Sequence, residues 1–207
     1  MTDLPPLILL TDRHAAARHH RSVEETVRLA VLGGATAVLV REKDLPAPDR
    51  QKLATALTSL LPSDSGRLGI ASDVALAANQ PRPWVHLAQR DVPVDRSSPV
   101  LVGRSCHTAN EVRLARDEGC DYVTISPVDI TDSKPGYGPA LGADGVRCLV
   151  HEAGDMPVWV LGGVTPDNVD QWLCAGARGI AVMGGVMGAV DPHEATVLYL
   201  HALGARR

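Results

Sequence analysis

At 207 residues, 45% apolar and 21% charged, the chain is long enough to bury a core without disulfides or a structural metal, and its composition excludes a disordered or fibrous protein. Lys plus Arg count 20 against 24 Asp plus Glu, and the net charge of −4 gives no global basic field that would draw the protein onto nucleic acid or acidic lipid. No apolar run approaches the roughly 18–20 residues of a membrane span. The start, Met1-Thr-Asp-Leu-Pro-Pro, lacks the basic flank and apolar stretch of a signal peptide, so the chain reads as cytoplasmic, with no membrane partner. Cys106, Cys120, Cys148 and Cys174 form no CxxC pair and read as reduced thiols. Aromatics make up 3% and Phe is absent, which predicts a core of Ala, Val, Leu and Ile.

In chain order, the first β-rich run is 7–11 (LILLT), and Ser22-Val-Glu-Glu25 then opens a helix, VEETVRLAVLGG, with the spacing of a capping box. Gly33-Gly34 stops that helix before the second run, 36–40 (TAVLV). Runs follow at 67–71 (RLGIA), 84–87 (WVHL), 100–103 (VLVG), 121–125 (DYVTI), 157–161 (PVWVL) and 179–183 (GIAVM). Helix signals recur at Thr108-Ala-Asn-Glu111 and at Thr165-Pro-Asp-Asn168, each leading through a periodic segment to Gly and another strand. The runs are apolar at consecutive positions, as expected of strands covered on both faces. Eight strands alternating with helices predict a compact (β/α)8 barrel over 1–207, and no GxGxxG or GxxxxGK[ST] follows the first strand to favour a doubly wound sheet. Between the fourth and fifth runs lie about a dozen residues, AQRDVPVDRSSP, with two prolines, which predicts an abbreviated fourth unit without a proper helix.

A barrel builds its site at the C-terminal ends of its strands. Arg41 and Lys43, two residues apart after the second run, can clamp a phosphate or pyrophosphate, the alternative being a solvated charge cluster. Gly162-Gly163 and Met183-Gly184-Gly185, after the seventh and eighth runs, stand where backbone N–H groups can approach an anion, although glycines also serve tight β-to-α turns. The long segment SPVDITDSKPGYGPALG carries Thr131, Ser133 and Lys134, two hydroxyls and a cation, on a loop that either grips ligand or forms a disordered lid. His107 stands at a strand end, where a helix-start role competes with a functional one. His14, His19 and His20 match no metal-ligand motif, and Cys106 has weak support as a nucleophile.

The strand-end pieces LILLTD, VREKD, VHLAQRDVP, VGRSCHTANE, SPVDITDSKPGYGPALG, VWVLGGVTPDN and GARGIAVMGGVM, in this order and spacing, resemble the thiamine phosphate synthase and TenI family over essentially the whole chain. The resemblance implies a barrel enzyme of thiamine biosynthesis that joins a thiazole phosphate to a pyrimidine pyrophosphate, releasing pyrophosphate with the help of Mg2+. Carried over by position, it implies that Arg41, Lys43 and Lys134 hold pyrophosphate and that Asp91 holds magnesium. It places Ser105 against the pyrimidine, and Thr131, Ser133, Gly163, Met183 and Gly184, with neighbouring Gly162, against the thiazole phosphate. Ser105, Lys134 and His107 are the catalytic candidates. Small phosphorylated molecules are then the partners, and barrels of this family often pair through outer helices.

Three positions depart from the family pattern. Leu39 replaces a glutamine, Ala71-Ser72 replaces an Asn-Asp whose aspartate is the second magnesium ligand, and Ala88-Gln-Arg-Asp91 replaces Gly-Gln-Glu-Asp. Asp73, one residue on from Ser72, is the candidate substitute ligand if the turn slips, and Arg90 is a candidate substitute charge. The alternatives within the resemblance are a metal-free TenI-type thiazole tautomerase, whose histidine after the sixth strand is Ser126 here, and a barrel that only binds the thiazole phosphate or thiamine phosphate.

Overall fold

Consecutive residues of a strand face opposite sides of its sheet, so unbroken apolar runs require cover on both faces. The computed structural model, which describes residues 3–130 and 139–204, meets that requirement by closing the sheet on itself. Strands β1 (Leu7–Leu10), β2 (Ala37–Val40), β3 (Arg67–Ala71), β4 (Trp84–Leu87), β5 (Leu101–Cys106), β6 (Tyr122–Ile125), β7 (Val158–Leu161) and β8 (Gly179–Val182) are all parallel and neighbour one another in sequence order. β8 returns to β1 with Leu7 opposite Ile180, completing a TIM barrel. Helices α1 (Arg13–Ala17), α2 (Val23–Leu32), α3 (Ala47–Leu60), α4 (Val74–Ala78), α5 (Ala109–Asp117), α6 (Gly142–Ala153), α7 (Val169–Cys174), α8 (Gly184–Met187) and α9 (Pro192–Gly204) connect the strands. No helix among the described residues is long and apolar enough to cross a membrane.

The alternation splits the core in two. Leu7, Leu9, Val38 and Val40 face outward and pack with the helices, including Val27 and Ala30 of α2 and Leu53 and Leu57 of α3. Ile8, Leu10, Leu39 and Ala71 face inward. Here the expectation of a purely aliphatic core is corrected: the floor of the barrel is made by Trp84, Tyr122 and Trp159, all fully buried. Tyr122 stands edge-on to Trp159 with ring centroids 5.3 Å apart, and Trp84 lies 6.3 Å from it on the other side. Three glycines make room. A Cβ on Gly69 would sit 2.5 Å from the Trp84 ring, on Gly103 2.1 Å from the Tyr122 ring, and on Gly179 2.6 Å from the Trp159 indole nitrogen.

The predicted capping boxes form in part. Ser22 Oγ accepts from the Glu25 amide at 3.1 Å, and Thr108 Oγ1 accepts from the Glu111 amide at 3.3 Å. Glu111, however, reaches back one residue further than the motif requires and accepts from the His107 amide at 2.6 Å. At the third signal, Asn168 Oδ1 accepts from the Thr165 amide at 2.8 Å.

Residues between β4 and β5 contain no helix, as expected. The strand that follows is longer than predicted: Arg104, Ser105 and Cys106 belong to β5, paired with Val123, Thr124 and Ile125 of β6, and do not form a loop after it. The physical reason is that both polar side chains have partners. Ser105 points into the barrel, and buried Arg104 points outward to the helixless connection between β4 and β5. Arg104 Nη1 donates to the carbonyls of Ala88, Gln89 and Asp91 at 3.1, 3.2 and 2.9 Å, and its other branch forms an ion pair with Glu118 at 2.8 Å. One guanidinium thus shapes the turn that carries Asp91.

Candidate functional site

The mouth at the C-terminal ends of the strands has two halves of different character. One is a cavity of about 450 Å³ between β1, β6, β7 and β8, within the range of small-ligand sites. Leu10, Arg41, Ser126, Gly162, Gly163, Met183, Gly184 and Gly185 are among its walls. Its glycines are structurally required. Gly163 has φ +76° and a Cβ there would meet Asp129 at 2.5 Å, while a Cβ on Gly185 would meet the Tyr199 hydroxyl at 2.2 Å. Asn168, which sequence reading treated only as part of a helix signal, holds this turn: its Nδ2 donates to the Gly163 carbonyl at 2.9 Å, and its Oδ1 accepts from Trp172 Nε1 at 2.9 Å. Tyr199 of α9 donates to the Val164 carbonyl at 2.9 Å and braces the same turn from outside.

The other half is polar and lies over β2 to β5. Lys43 Nζ donates to Ser72 Oγ at 2.6 Å, and Ser72 donates to Asp91 Oδ2, which also accepts from the Ala88 amide at 2.7 Å. Lys43 is exposed at the mouth, yet desolvation by its surroundings lowers its pKa; Asp91 opposes that shift and Arg41 adds to it. Ser72 occupies the left-handed region at φ +61°, a conformation in which Asn and Asp are more at ease than Ser. Arg41 follows the inward parity of Ala37 and Leu39, which is why it reaches the cavity wall, and its amide donates to Thr11 Oγ1 at 2.9 Å.

Between Arg41 and Lys43, Glu42 turns the opposite way and is buried. It accepts from the Arg13 amide and from Arg13 Nη1, both at 3.0 Å, and Arg13 also holds Asp44, pulling that carboxyl down to about 2. This clamp from the start of α1 pins both flanks of Lys43. The sequence motif named the two cations and missed the acid that orients them.

The remaining candidates divide. Asp73 does not join Asp91: it caps α4 by accepting from the Leu76 amide at 2.9 Å and pairs with Arg50 at 2.7 Å, which corrects its reading as the substitute metal ligand. The turn does not slip, because an N-cap carboxylate with an arginine partner is a better-satisfied arrangement. Arg90 is exposed. His107 is not among the cavity walls; its Nδ1 lies 2.7 Å from the Ser126 carbonyl, joining the ends of β5 and β6. Cys106 is buried, and burial pushes its thiol up to about 12, unsuited to a nucleophile. Leu39 and Ala71 sit together inside the barrel as apolar wall. Thr131, Ser133 and Lys134 lie outside the described residues.

His86 was overlooked because it stands inside an apolar run, WVHL. It is buried and inward-facing, its Nε2 2.9 Å from Ser105 Oγ, and burial lowers its pKa to about 3, so it is neutral.

The residues present offer magnesium one carboxylate, Asp91, and the neighbouring Ser72 hydroxyl. Among the described residues no group of three or more His, Cys, Asp or Glu is placed to hold a metal ion. That donor set fits an ion of which most remaining ligands are phosphate oxygens and water, the usual habit of magnesium.

The chain is similar to known proteins over nearly its full length. The sequence profile of the family described as thiamine monophosphate synthase matches residues 7–186. A putative thiamine-phosphate synthase of Geobacter sulfurreducens is 36% identical over 195 residues, 91% of this chain and 89% of the relative. The thiamine-phosphate synthase of Moorella thermoacetica is 35% identical over 179 residues, 83% of each. Against a bifunctional thiamine biosynthesis protein of Symbiobacterium thermophilum the identity is 36% over 176 residues, and there the match spans 36% of the relative's length. Among solved structures, a thiamine phosphate pyrophosphorylase from Pyrococcus furiosus superposes with a TM-score of 0.83 at 30% identity, covering 96% of this chain and 95% of that one. With this profile and these near-full-length relatives, the chain belongs to the thiamine monophosphate synthase family.

Proposed function

We propose that the protein joins a thiazole phosphate to a pyrimidine pyrophosphate and releases pyrophosphate. The observation that carries this reading is the division of one mouth into a glycine-walled cavity and an adjoining cluster of Arg41, Lys43, Ser72 and Asp91. Two phosphorylated substrates need two such places side by side. Breaking the bond from the pyrimidine methylene to the pyrophosphate leaves a delocalised cation and a highly charged leaving group. Arg41 and Lys43 supply positive charge on the leaving-group side, already aimed by the Arg13–Glu42 clamp, and backbone N–H groups around Gly163 and Gly184 hold the thiazole phosphate so that its ring nitrogen lies in line. Asp91 and Ser72 would hold magnesium, which when bound neutralises charge on the leaving pyrophosphate. Four free cysteines support a cytoplasmic setting.

Among the described residues the cavity walls contain no histidine, and Ser126 stands where a tautomerase's acid–base group would be, so the synthase reading is favoured over isomerisation. The test is thiamine phosphate formation by the purified protein from the two substrates, with magnesium and with chelator. Magnesium-dependent product is the expected result. Absence of product alongside binding of the thiazole phosphate alone would sink the synthase reading and leave a tautomerase or a binding protein.

With one carboxylate on the protein, the metal requirement is set by Asp91. Ser72→Asp adds a second carboxylate in a backbone conformation aspartate tolerates, and is expected to lower the magnesium concentration for half-maximal rate roughly tenfold, about one charge-assisted contact. Asp73→Asn is expected to leave that concentration unchanged, as measured by magnesium titration of the initial rate.

A further inference from the structure

Beneath the mouth, four side chains form an unbroken chain of hydrogen bonds through the barrel interior. Trp84 Nε1 donates to the Tyr122 hydroxyl at 2.9 Å, the Tyr122 hydroxyl lies 2.8 Å from His86 Nδ1, and His86 Nε2 lies 2.9 Å from Ser105 Oγ. Thr124 Oγ1 stands 3.3 Å from the same Nε2. Trp84, Tyr122, His86 and Thr124 are buried, and Ser105 alone is half-buried at the mouth.

The protons can be counted. An indole nitrogen only donates, so the Tyr122 oxygen is an acceptor toward Trp84. Burial holds the Tyr122 hydroxyl protonated, and its one proton, like that of any buried polar group, needs an acceptor. Among the described residues the acceptor within reach is His86 Nδ1. A neutral imidazole that accepts at Nδ1 carries its proton on Nε2 and donates there. Ser105 Oγ therefore accepts from His86, with Thr124 Oγ1 as a weaker second acceptor, and the Ser105 proton is left to point out of the barrel. The charged groups that act on the His86 ring are Lys43, Arg104 and Asp91; the two cations add to burial in keeping the ring neutral, and Asp91 opposes them.

We propose that Trp84, Tyr122 and His86 are positioning residues that make the Ser105 hydroxyl a one-way hydrogen-bond donor, so that this side of the mouth selects a heteroaromatic substrate presenting an acceptor, such as an unprotonated ring nitrogen, and rejects one presenting a donor. The proposal rests on the synthase reading for the identity of that substrate, but the proton order does not.

The direct test is NMR of the isotopically labelled ring nitrogens of His86 in the full chain between about pH 6 and 8, the range in which an ordinary histidine titrates. Expected is a single neutral tautomer with Nε2 protonated and Nδ1 bare, unchanged over that range. Protonation at Nδ1 overturns the proposal whether or not the protein makes thiamine phosphate. A bare Nδ1 without product would instead sink the synthase reading and leave the donor assignment standing. Tyr122→Phe removes one oxygen from the chain and is expected to mix the two tautomers and to lower kcat about tenfold, the effect of one misdirected hydrogen bond. Ser105→Ala is expected to lower kcat by at least as much. Wild-type turnover in Ser105→Ala, or a pure Nε2–H tautomer with wild-type kcat in Tyr122→Phe, would overturn the positioning role.

Discussion

Replacing Lys43 with alanine is expected to lower kcat/KM for the pyrophosphate substrate roughly 10²–10³-fold, the scale found when one preorganised donor to a developing charge is removed. The ammonium is held in place before substrate arrives, 2.6 Å from Ser72 and flanked by the buried Glu42 and by Asp44, both tied to Arg13. Little of its ordering remains to be done in the transition state, so its charge acts at nearly full effect. Thiazole phosphate binding, which uses the other half of the mouth, should change less than about twofold, since Lys43 is not among the walls of that cavity. Steady-state kinetics and calorimetric titration of the two ligands separate these effects. An unchanged kcat/KM would mean that the leaving group sits elsewhere. Arg13→Ala leaves Lys43 present but releases its flanks, and should reproduce part of the loss.

The largest loss of stability is expected from Gly103→Ala, about 3 kcal/mol, at the upper end of overpacking costs. The new methyl would lie 2.1 Å from Tyr122 Cε1 and Cζ, inside a ring that is fully buried and bonded on either side to Trp84 and His86. Neither ring nor strand can move without breaking the floor of the barrel. Gly142→Ala is the comparison: its φ is +62° but nothing lies within 4 Å of the new Cβ, so it should cost only the backbone term, about 1–2 kcal/mol. Urea denaturation midpoints of the two variants give the ranking. Equal midpoints would show that the interior yields more easily than its packing implies.

Much of the fold was legible because a closed parallel sheet leaves a simple trace: eight short apolar runs, each followed by polar residues. Seven of the runs match their strands to within a residue at either end. β5 extended through Arg104-Ser105-Cys106 because its polar side chains have partners, Arg104 Nη1 in the carbonyls of the helixless turn and Ser105 in His86. The site was legible where chemistry clusters in sequence, at Arg41 and Lys43 and at the paired glycines. It was opaque where chemistry is assembled across the barrel. His86 looked like one polar interruption in an apolar strand, Glu42 like a member of a charge cluster, and Asn168 like a cap.

Asp73 shows the limit most clearly. A carboxylate after β3 is equally available to a metal and to a helix N-terminus, and only the position of Arg50 on α3, 23 residues earlier in the chain, decides between them. By itself the sequence determined the order of elements, the helixless connection between β4 and β5 and the family, because periodicity, turn residues and motif spacing are local properties. The tertiary structure decided which groups meet: Lys43 with Ser72 and Asp91, Arg13 with Glu42, and Trp84, Tyr122, His86 and Ser105 in one line. Those pairings depend on which strands become neighbours and on the inward or outward parity of each residue, and both exist only once the barrel closes.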